Sequence, residues 1–413
     1  MRCETGYLDC DADVPGCEIE ATVDEAHCGA CGLACTDDET CWAGACVPSW
    51  RPTSTSGAPM PRRHPAGLWT GTQLLVWGGQ AGSNCFSSGG RYDPVADAWQ
   101  TMAVPPPSVS GCHRFAAVWT GTEMIVVGGT SGAGDISAES SGGRYNPATD
   151  EWSSMPLTLF DATNRIAPAA VWTGREMIVW SGVRRRGERA APDGVIFEPL
   201  SRSWRPMGTW GAPPGSWSAA AVWTGTEMIV WGGWATGTGG ALAAGGRYDP
   251  ALDRWTPVTS VGAPSARGEA RGVWTGREMI VWGGATNGGV GENPSGPLGD
   301  GAAYDPATDT WRPLSAVGAP SARFQHALVW TGSGMIVWGG TFSTTVPAFG
   351  DGAIYDPGTD TWTSIPNAGA PSGRRGLAAV WTGEEFVVWG GGSYDFATRT
   401  STQTNTGGRY RPR

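Results

Sequence analysis

The chain has 413 residues, including 65 Gly, 31 Pro and 24 Trp, while only 16% of its residues are charged. This composition is typical of many short strands joined by tight turns, and the absence of any run of 18 apolar residues excludes a membrane-spanning helix. The net charge of −10 lies wholly within residues 1–46, so the balanced remainder has no general attraction for nucleic acid or anionic membranes.

The first 46 residues contain eight of the ten cysteines, namely Cys3, Cys10, Cys17, Cys28, Cys31, Cys35, Cys41 and Cys46. An even, dense set in a segment too small for a hydrophobic core predicts four disulfides and an oxidising compartment. A zinc site is the alternative, although the second C-x-x-C pair that it would need is absent. The run from Cys28 to Cys35, followed by Cys41 and Cys46, resembles the Cys-rich modules of secreted myxobacterial proteins and of the plant stigma-specific family.

That resemblance implies export, and we expect an extracellular, cell-surface or periplasmic protein. Met1 leads directly to Cys3 with no signal peptide between them, so the sequence leaves two alternatives: a leader has been removed upstream, or the chain is cytosolic.

Acidic residues in the same segment have the spacing of a calcium-binding loop. Asp9, Asp11, Asp13 and, at the twelfth place, Glu20 mimic an EF-hand, although Val14 stands where that loop needs glycine. We therefore weigh a calcium site here against a solvated acidic tether. No other cofactor is indicated by the sequence.

The rest of the chain is a seven-fold repeat. The tripeptide W-T-G begins at Trp69, Trp119, Trp172, Trp223, Trp274, Trp330 and Trp381. An apolar run and, in most units, a glycine doublet follow each tripeptide. In six units an aromatic residue then precedes a second Trp by seven residues, in the pairs Tyr92/Trp99, Tyr145/Trp152, Phe197/Trp204, Tyr248/Trp255, Tyr304/Trp311 and Tyr355/Trp362.

Each unit is predicted to be a four-stranded antiparallel blade. The first strand is rich in small residues, Thr224-Gly225 is typical of a hairpin turn, and the second strand is apolar on both faces because neighbouring blades enclose it. The third strand contains the Tyr, Asp249-Pro250 begins a turn, and Trp255 anchors the outer strand.

This order of glycine doublet, Tyr and Trp resembles the kelch repeat of the kelch and galactose oxidase central-domain propellers. The resemblance covers about seven-eighths of the chain and implies an all-β fold, a seven-bladed β-propeller. Three departures are Val127 in place of Trp, Ser181 in place of the first glycine of a doublet, and Phe197 in place of Tyr.

The seventh unit stops three residues after Tyr410, so its outer strand is missing. The sequence Ser49-Trp50-Arg51-Pro52, with Gly57-Ala58-Pro59 after it, matches the outer strand around Trp311. We therefore predict that the N-terminal strand at Trp50 completes the seventh blade and closes the ring without open edges, as a monomer. The predicted domains are a disulfide module, residues 1–46, and a propeller, residues 47–413.

The two remaining cysteines, Cys85 and Cys112, fall in a loop after a second strand and in a loop that enters the next blade. Loops of these two kinds open on the same face of a propeller, so we predict a disulfide between neighbouring blades. The loops after the second strands are long and variable, and a ligand is expected on their face and at the channel mouth.

Two sets of residues are candidates for ligand binding. Five blades have an Arg seven residues before the W-T-G Trp (Arg62, Arg165, Arg267, Arg323 and Arg374), which could bind carboxylate or sulfate, or could instead bond backbone carbonyls of the next blade. Two residues further on, the side chain changes from blade to blade (His64, Arg114, Ala167, Ser218, Glu269, Gln325 and Gly376), and His326 lies nearby. Variation within a regular repeat is the better signature of a specific pocket, and drift of surface residues is the alternative that would look similar.

Two functions remain open. The first is a non-catalytic binding or scaffold propeller that recognises a protein or a glycan. The second is a carbohydrate-active enzyme similar to a kelch-type sialic acid epimerase, with Arg62, His64, Arg114, Glu269, Arg323 and His326 at the channel mouth. Copper chemistry like that of galactose oxidase is disfavoured, because no set of two His and two Tyr can be assembled from the four histidines.

Overall fold

The computed structural model describes residues 5, 7–8, 10, 19–20, 22–36, 39–110, 112–130, 141–156, 164–184, 188–235, 240–288 and 294–412. These residues form strands, turns and connecting segments. They contain no helix, and hence none that is long and apolar enough to cross a membrane.

Seven four-stranded antiparallel sheets form the blades of a propeller, numbered 1 to 7 in the order of the W-T-G tripeptides. The first strands are Ala66–Trp69, Ala116–Trp119, Ala169–Trp172, Ala220–Trp223, Arg271–Trp274, Ala327–Trp330 and Ala378–Trp381. The second strands are Leu74–Trp77, Met124–Val127, Met177–Trp180, Met228–Trp231, Met279–Trp282, Met335–Trp338 and Phe386–Trp389. The third strands are Gly89–Asp93, Gly142–Asn146, Gly194–Glu198, Gly245–Asp249, Gly301–Asp305, Gly352–Asp356 and Gly407–Tyr410. The fourth strands are Ala98–Thr101, Glu151–Ser154, Ser203–Pro206, Arg254–Pro257, Thr310–Pro313, Thr361–Ser364 and Trp50–Pro52.

The core lies between the blades. All residues of the second strands are buried, because one face of each strand packs on the preceding blade and the other on the following blade. Ile229 and Trp231 of blade 4, for example, pack with Met279 and Val281 of blade 5. The W-T-G turn adopts the backbone that its glycine permits, with φ of 105° at Gly225.

The glycine doublets join each blade to the next. The second doublet position donates its backbone N–H to the carbonyl of the residue seven places before the next W-T-G Trp, as from Gly233 to Arg267 at 2.9 Å and from Gly284 to Arg323 at 3.0 Å. Both doublet glycines have positive φ in nearly every blade, and a Cβ on Gly233 would lie 2.8 Å from the Trp217 carbonyl oxygen. The glycines are therefore required by backbone conformation and by close approach.

The N-terminal strand closes the ring, as the sequence predicts. Strand Trp50–Pro52 pairs antiparallel with Gly407–Tyr410, with Trp50 opposite Tyr410. Gly391 of blade 7 then donates to the Arg62 carbonyl of blade 1 at 2.8 Å, and Trp389 packs in one cluster with Leu74. Blades 7 and 1 are thus joined by the same contacts as the other pairs.

Three of the long loops after second strands contain strands of their own. Small hairpins are formed by Gln80–Ala81 with Asn84–Cys85, by Ala285–Asn287 with Ser295–Pro297, and by Gly392–Asp395 with Thr400–Gln403. The sequence predicted only variable loops there. The hairpins give the loop face a defined surface shape.

The described part of the N-terminal segment is held by disulfides rather than by a core. Two short sheets pair Tyr7–Leu8 with Ile19–Glu20 and Glu39–Trp42 with Ala45–Pro48. Three disulfides join Cys10 to Cys31, Cys28 to Cys41 and Cys35 to Cys46. Cys3 and Cys17 lie outside the described residues, within which every cysteine is paired.

The predicted bridge between blades, Cys85–Cys112, is present. It connects the hairpin of blade 1 to the segment that enters blade 2, where the Cys112 carbonyl also accepts the Gly79 N–H at 2.6 Å.

Replacing Cys85 and Cys112 together by serine should lower the free energy of unfolding by about 3 kcal/mol, because the bridge limits the freedom of the unfolded chain. Urea unfolding of the double variant against the wild type measures this difference. A reductant added to the double variant should lower its free energy of unfolding further only by the contribution of the N-terminal disulfides. Equal stability of the two proteins would show that the bridge contributes nothing.

Candidate functional site

Seven equivalent residues surround the mouth of the central channel on the loop face. They stand five positions before each W-T-G Trp, and we call them the mouth ring: His64, Arg114, Ala167, Ser218, Glu269, Gln325 and Gly376. All seven have φ between 49° and 59°, the left-handed region, although only one is glycine. The left-handed backbone at this position is thus a feature of the repeat, while the side chain changes from blade to blade.

Backbone hydrogen bonds between successive blades hold this conformation. Ala167 donates to the Arg114 carbonyl at 2.6 Å, Ser218 to Ala167 at 3.0 Å, and Glu269 to Ser218 at 3.3 Å. The same bond runs from Gly376 to Gln325 at 2.9 Å and from His64 to Gly376 at 2.5 Å, across the ring seam. The scaffold therefore fixes the ring positions and leaves their side chains free to specialise.

The mouth ring lines a cavity of about 450 Å³ together with the first strands. This volume is within the range of small-molecule sites and could also accept one or two side chains of a larger ligand. The predicted site residues His64, Arg114, Ser218, Glu269 and Gln325 are brought together here. Whether they bind a ligand stays a prediction.

The other predicted set lies inside the blades: it comprises Arg267, which pairs with Asp300 at 3.0 Å, and the four arginines Arg62, Arg165, Arg323 and Arg374. Their exposed fractions are 1% or less, and they donate to backbone carbonyls, as Arg62 does to Gly78 at 3.0 Å and to Ser88 at 2.7 Å. Arg323 also pairs with Asp351 at 3.1 Å. These contacts match the structural role that the sequence left open, with one correction: the acceptors belong to the same blade, not to the next one. The geometry gives no support to a ligand-binding role for these four guanidinium groups.

His326 lines the cavity, but its imidazole packs as part of the core. It is 2% exposed and lies edge-on to Trp282 at 5.1 Å, as Phe115 at the same repeat position lies on Trp77 at 4.8 Å. Neither ring nitrogen has a partner among the described residues. Burial, with Arg271 and Arg323 nearby, holds the pKa of His326 well below its usual value.

One side of the mouth is cationic. Arg63, Arg114 and Arg375 stand on blades 1, 2 and 7, with His64 and His113 between them; the two imidazole rings stack at 5.5 Å. Burial and then the charges of Arg114 and Arg63 lower the pKa of His113 to about 3. Burial and Arg63 lower the pKa of Arg375 to about 10. We call these five residues the cationic sector.

An apolar cluster is buried on the loop side of blades 3 to 6. The residues one place before the mouth ring are here Ile166, Trp217 and Phe324, and they form a buried cluster with Val183, Ala190, Trp234 and Ala285. Arg114 stands at the boundary, 5.4 Å above the Trp217 ring. The mouth ring itself has the polar residues Ser218, Glu269 and Gln325 on blades 4 to 6, so the apolar cluster supports these positions without lining the cavity.

Arg271 is a channel residue that the sequence interpretation missed. It begins the first strand of blade 5, where the other six blades have alanine, and its side chain is exposed to the channel. Desolvation lowers its pKa, and the charge of Glu269 opposes that shift. The available signal was an arginine at a position where the other six blades have alanine. The sequence analysis missed it because it compared the blades two residues earlier, at the mouth-ring position.

The calcium hypothesis is not tested. Asp9, Asp11 and Asp13 lie outside the described residues, and Glu20 pairs with Tyr7 in a two-stranded sheet. Among the described residues, the group of potential metal ligands within reach of one another is Cys28, Cys35 and Cys41, whose sulfur atoms are engaged in disulfides.

The repeats and their arrangement can be compared with known proteins. The family model described as KLHDC2/KLHL20/DRC7 Kelch-repeats domain matches residues 167–391, and the Kelch motif model matches residues 111–156. An F-box/kelch-repeat protein of Arabidopsis thaliana is 30% identical over 34% of this chain and 32% of its own length. Acyl-CoA-binding domain-containing protein 4 of the same plant is 30% identical over 35% of this chain and 21% of its own length. The chain therefore spans less than a third of the length of either relative.

Proposed function

This chain belongs to the kelch-repeat family of β-propellers, and on that premise we propose that it is an exported, non-catalytic binding module that recognises a protein at its channel mouth and loop face. One observation carries the proposal. The mouth ring keeps one strained backbone conformation in all seven blades and yet has a different side chain in each. Structural selection on the fold would not require that diversity, whereas recognition of an asymmetric ligand would.

The loop face suits a ligand that extends beyond the channel. The first strands of the three hairpins pair with residues that directly precede the mouth ring, since Gln80 pairs with Arg63, Ala285 with Gly268 and Gly392 with Arg375. The cavity at the mouth ring can receive projecting side chains. Kelch propellers generally bind proteins, which favours a protein over a glycan. The four disulfides of the described residues support export, because such bonds persist in oxidising compartments.

The enzyme alternative has less support from this geometry. Two of the six residues that it would place at the mouth, Arg62 and Arg323, are buried within their blades and bonded to backbone carbonyls. His326 is packed edge-on to Trp282. The remaining candidates, His64, Arg114 and Glu269, are equally suited to binding without turnover.

Selection of a displayed random-peptide library on the immobilised full chain should enrich peptides whose binding depends on the residues of the mouth ring. Glu269→Ser introduces serine, the residue that blade 4 has at the equivalent position, Ser218, with nearly the same φ. It should weaken the binding of the enriched peptides by about tenfold or more. Glu151→Ser removes one exposed carboxylate from an outer strand and is the control of equal charge. It should leave their affinity unchanged.

The same chain is also applied to a glycan array, and retained sugars are analysed by mass spectrometry. Peptides that bind both variants equally would contradict recognition at the mouth. Glycan binding without peptide enrichment would replace the protein ligand by a glycan, and an altered sugar would overturn the non-catalytic assignment.

A further inference from the structure

Arginines at the same place in four third strands join successive blades on the face opposite the mouth. The turns between third and fourth strands lie on that face, because the strands of each blade alternate in direction. Each arginine occupies the third place of its strand and donates to the carbonyl of the proline in the turn of the following blade. We call them the clamp arginines: Arg91 with Pro147, Arg144 with Pro199, Arg247 with Pro306, and Arg409 with Pro94.

Three clamp arginines also have a carboxylate partner in their own blade. It belongs to the glutamate directly before the second strand, in the pairs Arg144–Glu123 at 3.4 Å, Arg247–Glu227 at 3.9 Å and Arg409–Glu385 at 4.0 Å. The clamp position therefore offers a guanidinium group two kinds of oxygen acceptor, a carboxylate of one blade and a backbone carbonyl of the next. A planar guanidinium group with its fork of N–H donors can bond both at once.

Blade 5 has both acceptors but lacks the arginine. Ala303 stands at the clamp position, whereas blades 3 and 6 have the bulkier Ile196 and Ile354 there. Glu278 directly precedes the second strand of blade 5, and Pro357 is the proline in the turn of blade 6. A cleft of about 440 Å³ lies here, which we call the blade 5 cleft, and its lining includes Arg277, Glu278, Ala303, Asp305, Arg312 and Pro357. Blade 5 thus leaves open the place that an arginine side chain takes in four other blades.

Arg312 of the fourth strand lines this cleft without taking the clamp position. It lies 3.4 Å from the Glu278 carboxylate. Blade 7 has an arginine at both places, since Arg51, the equivalent of Arg312, bonds one oxygen of Glu385 at 2.7 Å while the clamp Arg409 lies 4.0 Å from the other oxygen. One glutamate therefore accommodates two guanidinium groups in this fold, and an arginine in the place of Arg312 does not exclude a second one.

The charges of the blade 5 cleft also suit an added cation. Its lining has two cations, Arg277 and Arg312, and two carboxylates, Glu278 and Asp305. Arg277 pairs with Asp305 at 3.2 Å, and its side chain is 81% exposed, so it does not occupy the clamp position. The equivalent positions of blade 7 have three cations and two carboxylates, namely Arg51, Arg409, Arg411, Glu384 and Glu385. One ligand cation in the blade 5 cleft would give it the charge balance of blade 7.

We propose that the blade 5 cleft binds a guanidinium group of a ligand, which takes the place of the missing clamp arginine between Glu278 and the Pro357 carbonyl. This inference goes beyond the proposed function, because the cleft lies on the face opposite the mouth. An arginine side chain of a partner protein and a small guanidino compound share the required chemistry, a planar cation with several N–H donors.

The test is a ligand-observed NMR titration of the full chain with N-acetyl-arginine amide, whose only charge is its guanidinium group. The neutral analogue N-acetyl-citrulline amide has nearly the same shape. We expect the arginine derivative to bind at least about tenfold more tightly than the citrulline derivative, because only its hydrogen bonds to Glu278 join two opposite charges.

Matched variants locate the binding. Glu278→Gln removes the carboxylate and should weaken the arginine derivative by about tenfold. Glu227→Gln is the same change at the equivalent position of blade 4, where Arg247 already occupies the clamp position, and it should leave the affinity unchanged. Ala303→Arg supplies the clamp from the chain itself and should abolish binding, while its thermal unfolding should occur at or above the temperature of the wild type.

Equal binding of the two derivatives, or equal affinity of wild type and folded Ala303→Arg, would overturn the guanidinium site. If Ala303→Arg does not fold, equal weakening by Glu278→Gln and Glu227→Gln would overturn it. Free L-arginine distinguishes the two sources, because affinity equal to that of the blocked derivative would indicate a small guanidino compound, whereas binding weaker by about tenfold would indicate an arginine within a polypeptide. Glu269→Ser should leave all of these affinities unchanged, so this site and the proposed function fail or stand separately.

Discussion

Trp50→Ala should lower the free energy of unfolding by about 3 to 5 kcal/mol, in the range of other large-to-small aromatic core substitutions. Trp50 is 3% exposed, packs on Trp338 at 5.2 Å and on Tyr410 at 5.3 Å, and donates from its indole nitrogen to the Pro366 carbonyl at 3.1 Å. Its strand is three residues long, and in the sheet of blade 7 it is the one strand that comes from the N-terminal part of the sequence. Chemical denaturation measures the loss.

Trp311→Ala is the matched control. Trp311 packs in the same way on Trp231 at 4.7 Å and on Tyr304 at 5.0 Å. Its outer strand, however, follows the other three strands of blade 5 in the sequence, whereas the Trp50 strand comes from the other end of the propeller sequence. The two variants should lose similar stability. Only Trp50→Ala should raise hydrogen exchange in strand Gly407–Tyr410, because its outer strand detaches. Unchanged exchange in that strand would contradict the role of Trp50 at the seam.

Acidification from pH 6.5 to pH 4 should destabilise the propeller by roughly 1 kcal/mol per pH unit for each deeply buried histidine, His113 and His326. Burial lowers the pKa of His113 to about 3 and that of His326 well below its usual value of 6.5. In this window the unfolded chain binds a proton at each site and the folded chain does not. Stability is therefore complete above about pH 6.5 and falls as the pH decreases toward the folded-state pKa.

The repeat supplies matched replacements for both residues. His326→Phe introduces the residue of Phe115, and His113→Phe introduces the residue of Phe324, each at the equivalent position. The double variant should be less sensitive to pH between 6.5 and 5, where carboxylates contribute little, as measured by urea unfolding at several pH values. His326→Phe should also be the more stable protein at pH 7, because it removes two buried nitrogens without partners. Identical pH dependence of wild type and double variant would refute this explanation.

The architecture was predictable because it depends on local rules repeated seven times. A positive φ requires Gly225, a strand enclosed on both faces requires an apolar run, and a missing outer strand requires the one at Trp50. The bridge from Cys85 to Cys112 followed from the side on which each loop opens. These features need only the order of strands, and that order is visible in the spacing of the tryptophans.

The site was predictable in part. Blade-to-blade variation at His64, Arg114 and Glu269 singled out positions that the structure brings together around one cavity, and ligand binding there stays a prediction. The same criterion applied one residue earlier would have separated Arg63, His113 and Arg375 from Ile166, Trp217, Gly268 and Phe324 of the other blades. The role of the buried arginines could not be predicted, because a repeated Arg is equally compatible with an anion-binding ring and with bonds to carbonyls of its own blade. Only the three-dimensional contacts of Arg62 distinguish these alternatives.

The amino-acid sequence by itself determined the seven-bladed ring, its closure and the interblade bridge, since each follows from short-range backbone and packing requirements. The tertiary structure alone decided which side chains share the channel mouth. Residues from blades 7, 1 and 2 come together there through the curvature of the closed ring, and residues from blades 3 to 6 form a buried apolar cluster on the loop side. Electrostatic interaction depends on distance in space, and residues as far apart in the chain as Arg63 and Arg375 become neighbours only when the circle is complete.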